Sequence, residues 1–253
     1  MRDLFLFAHQ DDEYGAFALI EASVAAGRRP LCVYLTNGDF GGQDPAVRNR
    51  ESRGVLQQLG VAATDCVFLG GEQAISDGTL PRHLARAHVA LSQCLAARGP
   101  VGTLLVVAYE GGHQDHDAAC AIAVALLRQG VVQSLRQFSL YQGEGLPGPL
   151  FRVLAPLAAN GPVTTQRYGL GRRLAYLRHC LRYGSQWKTW LGLLPFVALH
   201  YLLRGVQASQ VLDSARLASP PHEGAPLYDR RGFFRYAEFH ELSRRFLDDL
   251  DAG

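Results

Sequence analysis

The stretch Leu4-Phe5-Leu6-Phe7-Ala8-His9-Gln10-Asp11-Asp12-Glu13 decides the fold. Its apolar run is typical of a strand buried on both faces, and residues 13–26 are predicted to form a helix. A strand that ends where a helix begins places its last side chains at the carboxyl edge of a sheet, where open α/β sheets bind ligands. One imidazole beside carboxylates is a suitable donor set for a divalent metal such as zinc. The alternative is that these polar residues only cap the strand and the helix.

Length and composition indicate a globular α/β protein. The 253 residues suffice for one large domain, alone or with an appendage. The five cysteines lie far apart without a CxxC pair, which argues against a disulfide framework and favours a reducing compartment. The first residues do not have the pattern of a signal peptide. We therefore expect a cytoplasmic protein, with peripheral contact to the inner face of the membrane as an alternative.

Residues 151–204 form a basic segment without a single acidic residue. Within it, residues 191–199 are strongly apolar, and we expect them to belong to a buried helix that packs on the sheet. The alternative is a basic, apolar surface that meets a lipid-linked or nucleotide-linked sugar. The basic residues do not form a stripe with base-stacking aromatic residues, so we expect no binding of nucleic acid.

Strands and helices alternate along the first 145 residues. Buried strands are predicted at 30–36, 66–69, 102–108 and 137–141, and helices at 45–59, 80–98 and 118–128. This alternation predicts a right-handed, mainly parallel α/β sheet. We divide the chain into a catalytic core at 1–145 and a C-terminal extension at 146–253. The extension should consist of extended pieces and helices that pack on the core and shape the substrate site.

A second polar cluster, His113-Gln114-Asp115-His116, follows the fourth predicted strand. In a doubly wound sheet the first and fourth strands are neighbours at the topological switch point, so the two clusters should face each other across one crevice. Two histidines, one carboxylate and an open position make a catalytic zinc site. Asp11 and His113 would remain as general base and general acid.

The two clusters resemble the motifs of a known family. The sequences AHQDDE at 8–13 and HQDH at 113–116 are similar to the AHPDDE and HPDH motifs of the zinc-dependent PIG-L/LmbE-like N-deacetylases. The likeness continues through LTNGD at 35–39 and RNRE at 48–51, and more weakly to 77–78 and 185–186. It implies a Rossmann-like three-layer sandwich with a mainly parallel sheet and a helical C-terminal extension. It also implies removal of an acetyl group from an N-acetylglucosamine-type sugar.

The resemblance also implies a metal site. By motif position, His9, Asp12 and His116 match the ligands of Zn²⁺, in a site that would also accept another divalent metal. Gln10 and Gln114 replace the usual prolines of the two motifs, which removes no ligand.

Further roles follow from the resemblance by motif position. Asp11 corresponds to the base that deprotonates water at the metal. His113 corresponds to the group that stabilises the oxyanion and protonates the leaving amine, oriented by Asp115. Arg48 and Asp77 match positions that hold sugar hydroxyls; without the resemblance, they would be interpreted as a solvated charge at a helix start and an acid in a turn.

The leading hypothesis is therefore a zinc-dependent hydrolase that deacetylates an amino sugar. The substrate would be a small molecule or a glycoconjugate, such as a lipid-linked or nucleotide-linked sugar or a natural-product glycoside. A zinc amidase that cleaves a larger acyl or conjugate amide is the alternative within the same chemistry. A non-catalytic sugar-binding module is the alternative of another class, and it predicts neither bound zinc nor a requirement for Asp11. No sequence pattern indicates an oligomeric state.

Overall fold

A seven-stranded sheet runs through the centre of the molecule. The computed structural model describes residues 1–252. The strands of this sheet are β1 (Arg2–Phe7), β2 (Leu31–Tyr34), β3 (Cys66–Phe68), β4 (Val101–Val107), β5 (Val132–Phe138), β8 (Val163–Arg167) and β9 (Val206–Val211). A separate two-stranded sheet consists of β6 (Tyr141–Gln142) and β7 (Arg152–Val153).

The strand order of the large sheet is β3-β2-β1-β4-β5-β9-β8. The first five strands are parallel, β9 pairs antiparallel with β5, and β8 pairs antiparallel with β9. In β1, Phe5 pairs with Cys32 of β2 on one side and with Leu105 of β4 on the other. The predicted mainly parallel sheet is confirmed, and β1 and β4 are neighbours at the point where the winding reverses.

Helices cover both faces of this sheet. They are α1 (Phe17–Ala25), α2 (Pro45–Gln58), α3 (Leu69–Glu72), α4 (Leu84–Ala96), α5 (Gln114–Arg128), α6 (Leu170–Cys180), α7 (Trp187–Arg204), α8 (Leu227–Arg230) and α9 (Tyr236–Ala252). Helix α5 is buried between the sheet and a layer formed with α4 and α9. The arrangement is the three-layer α/β fold expected from the sequence.

Several element boundaries differ from the sequence prediction. The first turn expected for the helix at 13–26 is a 3₁₀ turn at Asp12–Gly15, because the N–H of Tyr14 and of Ala16 bond to carbonyls three residues earlier. Strand β5 begins at Val132 rather than at 137, and its early residues Gln133 and Ser134 are exposed. Strand β8 was not predicted, because all five of its residues are exposed and it lacks an apolar pattern.

The residues after 145 continue the core sheet and complete one of its layers. Strand β9 pairs with β5, and β8 pairs with β9. At the C-terminal end of the chain, α9 packs against α5.

Helix α7 is buried on one face only. Trp190, Leu193, Val197 and Tyr201 face the core, whereas the opposite face of the helix is exposed. The expectation of a buried helix at 191–199 is therefore correct for one half of its surface and wrong for the other. Within residues 1–252, no helix combines the length and hydropathy needed to span a bilayer.

Candidate active site

The two polar clusters meet at the carboxyl edge of the sheet. His9 follows the end of β1, and His113 and His116 lie at the start of α5, after β4. The ring centroids of His9 and His116 are 5.3 Å apart, and those of His9 and His113 are 4.6 Å apart. The predicted convergence of segments a hundred residues apart is thus present in the fold.

A tight turn after β1 orients the first cluster. Oδ2 of Asp12 accepts hydrogen bonds from the backbone N–H groups of Ala8 at 3.0 Å and His9 at 2.8 Å. Asp11 has a φ of 115°, in the left-handed region that non-glycine residues rarely adopt, at a cost of about 1–3 kcal/mol. Its N–H donates to Glu13 Oε2 at 2.9 Å, which helps to hold this backbone conformation.

The donors predicted for a metal lie around Asp12. Its Oδ1 is 3.1 Å from Nε2 of His116, and its Oδ2 is 3.7 Å from Nδ1 of His9. Neighbouring ligands of a tetrahedral zinc with bonds of about 2.0–2.1 Å are roughly 3.3 Å apart, and these two contacts, which involve different oxygens of Asp12, are close to that value. A second donor set is three imidazoles, because one ring nitrogen of each of His9, His113 and His116 lies within 4.8 Å of the others. Both of these sets contain His9 and His116, whereas a further group, His9 with Asp77 and Asp115, shares only His9 with them.

Two carboxylates hold the other nitrogen of the His9 ring. Nε2 of His9 is 3.0 Å from Asp115 Oδ2 and 3.2 Å from Asp77 Oδ1. Burial alone lowers the pKa of His9, but the charges and hydrogen bonds of these carboxylates and Asp12 outweigh it and raise that pKa well above its ordinary value. A histidine whose one nitrogen donates to a carboxylate presents the other nitrogen to a metal in a fixed orientation.

Asp115 contacts both His9 and His113. Its carboxylate accepts the N–H groups of Gly78 at 2.6 Å and Leu80 at 3.0 Å, in addition to contacting His9. The contact with His113 is made by the backbone, because the N–H of Asp115 donates to Nδ1 of His113 at 3.2 Å. Asp115 therefore orients His9 through its carboxylate and His113 through its amide.

This amide fixes the tautomer of His113. Since Nδ1 accepts a hydrogen bond, the neutral ring carries its proton on Nε2. Burial and the neighbouring charge of His9 lower the pKa of His113 to about 4. The ring is therefore a neutral N–H donor near pH 7.

The two adjacent aspartates of the first motif differ in proton affinity. Burial, together with the charges of Asp12 and Glu13, raises the pKa of Asp11 well above its usual value, although Arg48 opposes the shift. Burial would also raise the pKa of Asp12, but contact with His116 and His9 holds it well below the usual range. Asp12 is thus anionic, whereas Asp11 is suited to accept a proton.

Arg48 and Asp77 form one side of the site. The guanidinium of Arg48 donates to the carbonyl oxygens of Gly38 at 2.6 Å and Gln10 at 2.8 Å, and to Asp77 Oδ2 at 3.3 Å. It also lies 3.8 Å from Asp11 Oδ1. Although α2 is a surface helix, Arg48 is only 3% exposed, so it is not the solvated charge that its position at a helix start suggests.

These residues lie in a cavity of about 500 Å³. All eight residues predicted for the site are brought to this region, and seven of them line the cavity; Asp115 lies behind His9. The lining also contains residues that sequence analysis missed, namely Phe40, Gln114, Tyr141, Phe151, Gln186, Arg231 and Phe233. Tyr141, whose ring centroid is 5.6 Å from that of His116, follows β5, and the strand-edge argument applied to His9 would have found it.

A buried glutamate positions Tyr141. Oε1 of Glu110 accepts the N–H groups of Leu140 at 2.7 Å and Tyr141 at 2.8 Å, and its Oε2 accepts the hydroxyl of Ser139. Burial raises the pKa of Glu110 to about 7. Gly112 allows the close approach of this segment, because a Cβ at that position would lie 2.0 Å from the carbonyl oxygen of Tyr141.

Comparisons with known proteins agree with this site. Residues 4–127 match the model of the PIG-L family, described as GlcNAc-PI de-N-acetylase. The chain thus contains a PIG-L family domain, which includes both polar clusters. A search of curated protein sequences found no significant match.

Solved structures share the fold at low sequence identity. A deacetylase of the teicoplanin biosynthesis pathway is 16% identical, with a TM-score of 0.62 over 85% of this chain and 99% of that one. An N,N'-diacetylchitobiose deacetylase from Pyrococcus horikoshii is 17% identical, with a TM-score of 0.56 over 88% of this chain and 87% of that one. Both likenesses therefore extend beyond the family domain into the C-terminal extension.

Proposed function

We propose that this chain is a zinc-dependent N-deacetylase that acts on an N-acetylated amino sugar. The observation that carries the proposal is the convergence of His9, Asp12 and His116 beside Asp11 in one cavity of a PIG-L family domain. The fold neighbours that are deacetylases of sugar-containing molecules support the same substrate class.

His9, Asp12 and His116 would hold the metal. A divalent ion bound by them would polarise the acetamido carbonyl and make water more acidic. Asp12 contributes negative charge, and its second oxygen is held by the backbone of the turn after β1. Asp77 and Asp115 keep the His9 ring in one orientation.

Asp11 is the general base of the proposed reaction. It is adjacent in sequence to Asp12 and lines the cavity, and its raised pKa makes it a good proton acceptor. It takes one proton from the water that attacks the amide carbonyl. The leaving amine needs one proton when the C–N bond breaks, and protonated Asp11 is a source of that proton. The family resemblance assigns this last step to His113 instead.

His113 stabilises the negative charge that develops on the carbonyl oxygen. The backbone amide of Asp115 occupies its Nδ1, so that its N–H donor is Nε2. A hydrogen-bond donor held in place before the reaction stabilises an oxyanion without reorganisation.

The remaining walls of the cavity would bind the sugar and its substituent. Arg48 and Asp77 present charged groups that suit sugar hydroxyls, and Tyr141 offers an aromatic face near His116. At the mouth, the rings of Phe40 and Phe233 are in edge-to-face contact and are both exposed. This aromatic mouth suits an aglycone larger than a free monosaccharide.

An amidase that removes a larger acyl group is the second candidate. The observation in its favour is the volume of about 500 Å³, which exceeds the needs of an acetyl group alone.

A release assay distinguishes these functions. Metal-loaded protein is incubated with free, nucleotide-linked and hydrophobic-aglycone N-acetylglucosamine, and with the same sugars carrying longer N-acyl groups. We expect acetate release that disappears after chelation and returns with Zn²⁺. Release of only the longer acids would favour the amidase. Sugar binding without hydrolysis of any amide, in both wild-type protein and Asp11→Asn, would favour a non-catalytic binding module.

A further inference from the structure

The outward face of α7 is apolar. Five large side chains, each between 52% and 72% exposed, form this α7 face: Trp187, Leu191, Phe196, Leu199 and Leu203. The terminal helix α9, by contrast, has a charged outer face, on which the exposed Arg244 and Arg245 pair with Asp248 and Glu241. Exposed apolar surface that is contiguous along a helix of a folded protein marks an interaction site.

The chain segment that contains the α7 face carries only positive charge. No acidic residue occurs between Glu144 and Asp213 in the sequence. The exposed basic residues on α6, on α7 and on the turn between them are Arg172, Arg178, Arg182, Lys188 and Arg204, and of these Arg172 pairs with Glu21 of α1 at 3.2 Å. Helices α6 and α7 pack against each other, so these cations and the α7 face belong to one region of the molecule.

This region adjoins the mouth of the cavity. Thr189, Gly192 and Leu193 of α7 line the cavity. The ring of Phe196, on the α7 face, lies 5.8 Å from that of Phe151, which also lines the cavity. A surface that covers the α7 face would therefore lie beside the opening of the active site.

We propose that the α7 face docks on an anionic lipid surface. Its leucines and Trp187 would enter the boundary between headgroups and acyl chains, and the surrounding arginines and Lys188 would contact the anionic headgroups. Docking in this way places the cavity mouth at the lipid surface.

The charge distribution argues against a second copy of the chain as the occupant. A two-fold interface brings the same patch of both copies together. Here it would bring together two copies of a region in which the charged side chains of α6 and α7 themselves are all positive. An anionic lipid surface supplies the complementary charge.

Co-sedimentation with vesicles tests the proposal. The full chain is mixed with phosphatidylcholine vesicles that contain or lack phosphatidylglycerol, at low and high salt. We expect binding to the anionic vesicles, weakened by salt, and much weaker binding to pure phosphatidylcholine. Equal binding to both vesicles, or no binding to either, would overturn the proposal.

Matched variants test which residues bind. Leu191→Ser with Leu199→Ser should weaken binding at least roughly tenfold, because two leucines that would be buried in the lipid are lost. Val89→Ser, at an exposed valine of α4, is the control and should bind like wild type. Arg178→Gln with Lys188→Gln should weaken binding roughly fivefold per charge, whereas Arg244→Gln with Arg245→Gln should not.

The proposal and the deacetylase assignment fail separately. Leu191 and Leu199 do not line the cavity, so their variant should keep its acetate release from a water-soluble substrate. Sedimentation velocity without lipid tests whether a second copy of the chain covers the α7 face. A dimer that the leucine variant dissociates would assign the α7 face to self-association and overturn lipid docking.

Discussion

Nε2 of His116 lies 3.1 Å from Oδ1 of Asp12, although the two residues are 104 positions apart in the sequence. This contact joins the turn after β1 to the start of α5. The other oxygen of Asp12 is held by the N–H groups of Ala8 and His9, so the carboxylate cannot turn away from His116 without losing both bonds. The fold therefore holds these two side chains together.

His116→Ala should abolish stoichiometric zinc binding, because it removes a donor that both sets of ligands share. His113→Ala should keep the metal and lose most turnover, because His113 belongs only to the three-imidazole set. Metal analysis of the purified variants measures both outcomes. If His113→Ala lost zinc as fully as His116→Ala, the three imidazoles would be the ligands, and Asp12 would not be one.

Asp11→Asn should retain zinc and lose turnover by about 10²–10⁴-fold, because asparagine cannot accept the proton of the attacking water. The substitution keeps the size of the side chain, and asparagine tolerates the left-handed φ of 115° at this position better than most residues. Initial rates of acetate release, together with metal content, check the prediction.

Asp249→Asn is a matched control for Asp11→Asn, since Asp249 is exposed on α9 and does not line the cavity. Turnover near the wild-type rate in Asp11→Asn would assign the base to another group.

The sequence was sufficient to predict the central sheet and the meeting of the two clusters. Uninterrupted apolar runs identified β1, β2 and β4, and the topology of parallel sheets made β1 and β4 neighbours. Strand β8 was not predicted, because its exposed and mostly polar residues show no apolar periodicity.

The contacts that refine the site depend on tertiary structure. The carboxylate of Asp115 reaches His9 and the N–H groups of Gly78 and Leu80, which no local pattern encodes. The sequence left open whether α7 is core or surface, because an apolar helix is usually core and the sequence does not say which face lacks a partner.

Gln114→Pro should fold like wild type but bind substrate more weakly. Position 114 is the first residue of α5, where proline is tolerated, and His113 before it is extended, as proline requires. The change removes the 3.2 Å hydrogen bond from Gln114 Nε2 to the carbonyl of Gly78, next to Asp77. We expect KM to rise roughly tenfold, the equivalent of one hydrogen bond, with a smaller change in kcat.

Steady-state kinetics of Gln114→Pro, with a thermal melt as the check on folding, measure this effect. Gln133→Ala, at an exposed residue of β5, is the surface control. Alanine is used there because a proline would break the strand pairing of β5. An unchanged KM in Gln114→Pro would mean that the segment around Asp77 is held without this bond.

Glu110→Gln should remove the part of the pH dependence of the free energy of unfolding that comes from the ionisation of Glu110. Burial raises the pKa of Glu110 from 4.5 to about 7, so between these values the folded state binds a proton that the unfolded state has released. The stability that this group contributes is full below pH 4.5 and is lost as the pH rises through about 7. The shift corresponds to at most about 3 kcal/mol.

Urea unfolding of wild type and Glu110→Gln at pH about 5 and about 8 measures the difference. Wild type should lose more of its free energy of unfolding between the two values than the variant does, because glutamine does not ionise. Equal losses would mean that the N–H groups of Leu140 and Tyr141 and the hydroxyl of Ser139 stabilise the carboxylate enough to offset its burial. Glu110 would then hold Tyr141 beside His116 as an anion over the whole range.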